Sequence, residues 1–285
     1  MNKQWNRVSF MEAWQESPPE IDFCLANFMA GTVGVVAAPA GIGKTSLLMQ
    51  LGAAVAAGIP VAGNLLPAPA QTGRVTFLAT EDPPAVLQRR AHFFVRSLQA
   101  QGYGADVMER LEANFQFVGM VSPPKLLSQN KIGNEGLHML ETVAKDNRLI
   151  ILDPIRRFHY CDEQNFDQMQ LLFEMLSGIV AGSGCSLLFS HHVEQALHAD
   201  ALRELEGAQG SSAFINATRW VVNMNGMSLE EAKRHGITPE QRRSHVRVAF
   251  TKSNYGAPIP ARWLKRSEAF EGIFETCTFE NDAAG

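Results

Sequence analysis

The residues best suited to chemistry stand together at Ala38-Pro39-Ala40-Gly41-Ile42-Gly43-Lys44-Thr45. Glycines at this spacing let a backbone curl tightly, so that successive amide N–H groups face one point and make a cradle for phosphate oxygens. Lys44 supplies a compact charge on a flexible stem that reaches the β- and γ-phosphates of a nucleotide, and Thr45 a hydroxyl suited to Mg²⁺. Ser46 follows as a helix-like stretch opens, and the positive end of that helix adds to the cradle. Residues Ala38 through Ser46 are thus the candidate binding surface for ATP. Ala38 stands where such loops commonly have glycine, a variant that they accept. The alternative is a glycine-rich turn with a chance Gly-Lys-Thr. An apolar run before it and a helix pattern after it favour the phosphate loop.

Further candidates fall just after other apolar runs. In an open parallel sheet, ligands bind outside the carboxyl ends of the strands. Asp153 follows Leu149–Leu152 and fits the Walker B acid that holds Mg²⁺ through water. Glu81 follows Val75–Thr80 and could orient or deprotonate water beside the γ-phosphate; it could also merely lead into a helix capped by Asp82 with prolines in its first turn. His191 follows Ser186–Ser190, where a neutral imidazole can bond a γ-phosphate or serve only packing. Arg219 and Lys252 come late, each an arginine-finger-type candidate for a neighbouring subunit's site or an ordinary surface cation.

These positions need a sheet to gather them. Strand-like runs at Gly34–Ala38, Val75–Ala79, Phe115–Met120, Leu149–Leu152 and Ser186–Ser190 alternate with helix-like stretches at Ser46–Ala57, Ala85–Gln101, Asn134–Lys145 and Asp167–Gly182. Such alternation predicts an α/β fold with a mostly parallel central sheet flanked by helices. Arg219–Met224 and His245–Thr251 predict two more strands around the turn-rich Gly226–Arg243, and Arg262–Leu264 with Gly272–Phe279 a small C-terminal β hairpin. The expected organisation is an N-terminal arm over 1–30 and one ATPase core over 31–285 that includes the short β extension. The arm carries Trp5, Phe10 and Trp14, and either packs on a neighbouring subunit or folds as a helix over its own core.

At 285 residues and 46% hydrophobic content, one large domain is expected. The formal net charge of −4 argues against a dedicated basic DNA-binding module, while leaving room for positive charge focused in a channel. Cys24, Cys161, Cys185 and Cys277 lack metal-site or disulfide spacing, so reduced thiols in a cytoplasm are expected. Neither a signal-peptide pattern nor a bilayer-spanning run is present.

The ordered set of motifs resembles the RecA/DnaB layout, and more closely the RepA-type hexameric replicative helicases of broad-host-range plasmids. Beyond the phosphate loop, the matching stretches are Pro18-Pro19 with Ala30–Gly34, Glu81-Asp82-Pro83-Pro84, and Leu152-Asp153-Pro154-Ile155-Arg156-Arg157-Phe158-His159. They continue with Phe189-Ser190-His191-His192, Gly210-Ser211-Ser212 with Arg219-Trp220, and Lys252–Pro258 with Arg262-Trp263. The resemblance implies a RecA-like core and a homohexameric ring that unwinds duplex DNA by moving along single-stranded DNA, using ATP and Mg²⁺. It makes Lys44 and Thr45 the phosphate and metal residues, Glu81 the catalytic carboxylate, Asp153 the Walker B acid, His191 the γ-phosphate sensor and Arg219 the finger given in trans. Arg90 and Tyr255 fall where such proteins flank the adenine. Plasmid initiator and primase proteins are the implied partners, since no origin-binding or priming module is visible. Two departures stand out. Asn254 occupies the place of a second cation after Lys252, and Val193–Gln209, which corresponds to a channel loop, carries Glu194, Asp200, Glu204 and Glu206 against Arg203. Arg156 and Arg157 are alternative channel cations. Competing readings are a RecA-like loader, recombination or segregation ATPase without unwinding, and a P-loop small-molecule kinase.

Overall fold

A computed structural model of the chain describes residues 8–128, 131–163, 165–193 and 217–279. Most of the Val193–Gln209 channel-loop segment and all of Gly210-Ser211-Ser212 lie outside these residues. The chain enters through a short helix, α1 (Phe10–Gln15), capped by the Ser9 hydroxyl, and a ribbon of β1 (Phe23–Leu25) and β2 (Phe28–Met29). No residue of α1 is buried, and Phe10 and Trp14 are exposed. The ribbon, by contrast, belongs to the core: Cys24, Leu25 and Phe28 are buried, and the Phe28 ring stacks on Trp220 at 4.8 Å.

The central sheet takes β3 (Val33–Ala38), β4 (Val75–Ala79), β5 (Phe115–Gly119), β8 (Leu149–Asp153), β9 (Ser186–His192), β10 (Trp220–Gly226), β11 (His245–Ser253), β12 (Arg262–Arg266) and β13 (Phe274–Cys277). Strands β6 (Leu127–Ser128) and β7 (Lys131–Ile132) form a separate ribbon. Among the described residues the sheet order is β13-β12-β11-β10-β3-β9-β8-β4-β5. Strands β10 through β5 in that order are parallel, and β11, β12 and β13 are antiparallel additions. β3, β4 and β8 are buried at every position, which is why they read as unbroken apolar runs instead of alternating ones.

Helices cover both faces. One face carries α2 (Lys44–Ala57), α3 (Pro84–Ala100) and α4 (Ala105–Asn114); the other carries α5 (Asn134–Ala144), α6 (Phe166–Ser183) and the 3₁₀ turn Ile155–Phe158. A further helix, α7 (Leu229–Arg234), opens on a capping box between Ser228 and Glu231. α2 is buried nearly all round, so its Leu, Ala and Val residues show no amphipathic stripe. The alternating-element fold expected from the sequence is present, as is the C-terminal antiparallel pair. That pair is an extension of the central sheet, and its turn comes back to the phosphate loop. α4 and α7 were not expected. α4 lacks a side-chain cap, and α7 is a short helix inside a stretch rich in turn residues. Among the described residues no helix is long and apolar enough to cross a membrane. The cysteines are free, and burial pushes the Cys24 and Cys185 thiols up to about 12, which fits inert packing.

The side chain of Gln50 ties α2 to β13. Its Nε2 donates to the Phe274 carbonyl at 2.9 Å, and its Oε1 accepts from the Phe274 N–H at 3.1 Å. Replacing Gln50 with Ala leaves two buried backbone groups unpaired, so the expected loss of stability is about 2–4 kcal/mol, read by urea unfolding. An unchanged midpoint would show that β13 does not depend on this clamp.

Candidate nucleotide-binding site

Parallel pairing brings the carboxyl ends of four strands into line. Ala38 pairs with His192, and Ala79 with Asp153, while β8 lies between β9 and β4. Just beyond Ala38 the phosphate loop turns through Gly41 (φ 74°) and Gly43 (φ 98°) into α2. Both values lie in the left-handed region that glycine alone enters freely. Gly43 is doubly constrained, because a Cβ there would lie 2.7 Å from the Phe274 ring. Around Gly41 there is open space, so the loop keeps a free concave side.

The cleft above this edge has a volume of about 360 Å³ and is lined by Gly41, Gly43, Lys44, Thr45, Ser46, Glu81, Asp82, Arg90, Asp153 and His192, together with Arg266, Glu271 and Gly272. Asp153 is its anchor. The carboxylate is buried, accepting a hydrogen bond from the Thr45 hydroxyl at 2.6 Å and another from Ser190. Burial pushes its pKa up; the two hydroxyls and the nearby Lys44 charge pull the other way. Thr80 bonds the Asp153 carbonyl through both its N–H and its hydroxyl, at 3.0 Å each, fixing the end of β4 beside β8.

Lys44 is folded back on its own loop. Its Nζ donates to the carbonyls of Ala38 (2.9 Å) and Pro39 (2.8 Å) and lies 3.1 Å from His192 Nδ1. Burial lowers its pKa to about 8, against the raising effect of Asp153 and Glu81. The lysine thus has makeshift carbonyl partners that phosphate oxygens would replace. A hydroxyl beside a buried carboxylate, with Glu81 on the same cleft, is a hard-oxygen donor set that suits Mg²⁺. The N–H groups of the loop and the start of α2 suit phosphate. The residues present therefore fit both groups.

Not every candidate from the sequence reaches this cleft. Ala38, Pro39, Ala40 and Ile42 shape the loop, while Gly41, Gly43, Lys44, Thr45 and Ser46 line the space. The Ser46 hydroxyl donates to the Gly272 carbonyl at 2.9 Å. Glu81 and Arg90 are in the cleft, and Arg90 Nε donates to Asp82 at 2.9 Å.

Of the two histidines, His192 lines the cleft, and His191 is buried on the opposite face of the sheet. The cause is strand parity. β9 runs on to His192, and side chains at 188, 190 and 192 share the α2 face while 187, 189 and 191 share the other. Burial lowers the pKa of His191 to about 4, with the charges of His192 and Lys44 adding to the effect.

Arg219, Lys252 and Tyr255 lie at the far edge of the sheet. Trp220 pairs with Gly34 and Val221 with Lys252, at the amino end of β3. The Asn254 N–H bonds the Arg219 carbonyl at 3.4 Å, so the turn bearing Tyr255 is there too. About 15 Å of strand separates this edge from the phosphate loop, more than an arginine side chain spans. Burial and then the Arg219 charge lower the pKa of Lys252. Sequence reasoning missed Arg266, Glu271 and Gly272, which no local motif marks.

A test of the parity argument follows. His192→Ala is expected to slow ATP hydrolysis by about a hundredfold through loss of a bond at the γ-phosphate. His191→Ala should instead cost about 1–2 kcal/mol of stability with turnover near wild type. Steady-state hydrolysis and thermal melts of the two variants read this, and the reverse pattern would return the role to His191.

Two comparisons bear on this geometry. A family described as "AAA domain" matches residues 4–196, about two thirds of the chain and all of the phosphate-loop, Glu81, Asp153 and His192 positions. Among solved structures, the ATPase domain of a phage helicase superposes with a TM-score of 0.56, covering 89% of this chain and 88% of that one at 9% identity. That likeness is one of fold, a RecA-like core. With the phosphate loop, the Thr45–Asp153 pair and the extent of the family match in place, this chain belongs to the AAA domain family of P-loop ATPases.

Proposed function

We propose that the chain is an ATP-driven, ring-forming DNA helicase of plasmid replication, six copies of which translocate on single-stranded DNA. The observation that carries this reading is the division of the candidate residues between two sheet edges. The carboxyl edge holds the cradle, metal and water-positioning residues. The amino edge holds Arg219 and Lys252, two cations side by side that are too far away to serve their own phosphate loop. A bulge between Val221 and Val222 falls beside them, the kind of irregularity that re-aims strand-end side chains. A ring sets one subunit's amino edge against the next subunit's cleft, and Tyr255 would then meet Arg90 across the boundary.

In this reading Lys44 leaves the Ala38 and Pro39 carbonyls for the β- and γ-phosphates, while the N–H groups of residues 41–45 bind the rest of the phosphate chain. Thr45 and Asp153 hold Mg²⁺, which offsets negative charge on the phosphates. Glu81 orients a water and takes its proton as the water oxygen bonds to the γ-phosphorus and the bond to ADP breaks. His192 donates to the γ-phosphate, and the neighbour's Arg219 stabilises the charge that develops there.

A patch beside β8 supports DNA as the track. Lys125, Arg156 and Arg157 crowd around the exposed Tyr160, with Lys125 Nζ 4.7 Å from its ring centre. Burial and the two arginine charges lower the pKa of Lys125. Cations around an exposed aromatic suit single-stranded nucleic acid, which offers phosphates and bases together. This patch supplies the cations that the acidic Val193–Gln209 segment lacks.

The test is strand displacement on a forked DNA duplex, with Lys44→Ala as the inactive control. Wild-type unwinding that requires ATP, and that falls about tenfold or more in the Lys125→Glu/Arg157→Glu double variant, is expected. DNA-stimulated ATP hydrolysis without displacement would favour a loader or recombination ATPase instead.

A further inference from the structure

Phosphates fit the end of the cleft bounded by Lys44, Thr45, Asp153 and Glu81, so a nucleoside extends toward the other end. That end is closed by the turn 267–273 between β12 and β13, a segment more than 220 residues downstream of the phosphate loop. We propose that this turn is a lid over the nucleoside end of the cleft, latched to α3 by Arg89 and Glu271, and that it sets how long a nucleotide stays bound. The proposal rests on the cleft being a nucleotide site, as argued above.

The roots of the turn are fixed to the phosphate loop. Arg266 Nη2 donates to the Gly41 carbonyl at 2.8 Å, and the Ser46 hydroxyl donates to the Gly272 carbonyl. Phe274 sits against Gly43 and is clamped by Gln50. Ser46 and Gln50 are one helical turn apart on α2, so the same face of the phosphate-loop helix holds the whole base of the lid.

The tip is held differently. Glu271 adopts φ 40° and Gly272 φ 83°, a left-handed pair that carries the chain sharply around. The Glu271 carboxylate meets the Arg89 guanidinium in a two-pronged contact, with Arg89 Nε donating to Oε2 at 2.6 Å and Nη2 to Oε1. Arg89 also lies over the Phe93 ring, 5.1 Å from its centre. α3 follows directly on Glu81-Asp82-Pro83 and carries Arg90 into the cleft beside the latch. The contact therefore joins the helix behind Glu81 to the hairpin behind the phosphate loop.

Both latch residues are exposed, Arg89 at 62% and Glu271 at 43% of the side chain. Exposed ion pairs are weak and screened by salt, so such a latch opens readily and changes a rate without deciding the fold. A packing-only role for the turn would be insensitive to the sign of these charges.

The test is stopped-flow release of a fluorescent ADP, mant-ADP, from the full chain with Mg²⁺. Arg89→Glu and Glu271→Arg are expected to release it about three- to tenfold faster than wild type. The double variant R89E/E271R should return toward the wild-type rate, and wild-type release should quicken with salt more than release from either single variant. Melting temperatures check that all three variants fold. Wild-type release rates in both single variants, or a double variant as fast as the faster single, would overturn the lid. Failure of wild type to bind mant-ADP, with Lys44→Ala as reference, would instead remove the nucleotide-site reading and the lid with it.

Discussion

Asp153 is a carboxylate buried at the end of a strand, and such a group is tolerable only with close partners. It has two hydroxyl donors, Thr45 from the phosphate loop and Ser190 from β9, and a nearby ammonium, Lys44. The groups converge because β3, β9 and β8 are parallel neighbours whose ends align. The β4 end is joined to the set by Thr80 on the Asp153 carbonyl, which places Glu81 at the rim. Sheet order, loop glycines and the all-round burial of α2 thus serve one electrostatic arrangement. Lys44 remains partly stranded in it, held by loop carbonyls, with burial drawing its pKa down to about 8. A phosphate would satisfy this lysine far better than a carbonyl does, and in that sense the cleft is built for an anion.

How much of this the sequence reveals depends on the range of the physics involved. The phosphate loop is local: Gly41, Gly43, Lys44 and Thr45 owe their places to residues within a few positions, so a motif finds them. Asp153 and Glu81 were legible because unbroken apolar runs mark buried parallel strands, and strand ends mark the ligand edge. The choice between His191 and His192 depended on where β9 stops, and one residue of strand length exchanges the two faces. The hairpin residues Arg266, Glu271 and Phe274 were not legible at all. Their partners are Gly41, Arg89 and Gln50, and nothing in residues 262–279 alone encodes those pairings. α4 and α7 were missed for a related reason, since both are short and α7 rests on its Ser228–Glu231 box inside a turn-rich stretch.

In the proposed ring the cleft draws on two distant sources. From its own chain it takes the β12–β13 turn, bound to α2 by Gln50, Ser46 and Gly43. The other source would be the amino edge of a neighbouring sheet, with Arg219, Lys252 and Tyr255, which no movement of side chains could bring to the phosphate loop of the same chain. Binding and retention would then be properties of one subunit, and hydrolysis a property of a pair. Such a division lets a ring hold nucleotide at every site while releasing its energy only where neighbours are correctly set.

The shared site is tested most directly by mixing two inactive variants. Arg219→Ala keeps its phosphate loop but offers its neighbour no finger. Lys44→Ala offers the finger but has no working loop. Each alone should hydrolyse ATP very slowly, since a finger of this kind contributes about 10³–10⁵ in turnover. Where an Arg219→Ala cleft meets a Lys44→Ala edge, a complete site forms, so hydrolysis measured against mixing ratio should rise to a maximum between the two pure proteins. Arg219→Ala turning over alone at the wild-type rate would contradict the account, as would a flat mixing curve with mixed assemblies demonstrated by cross-linking.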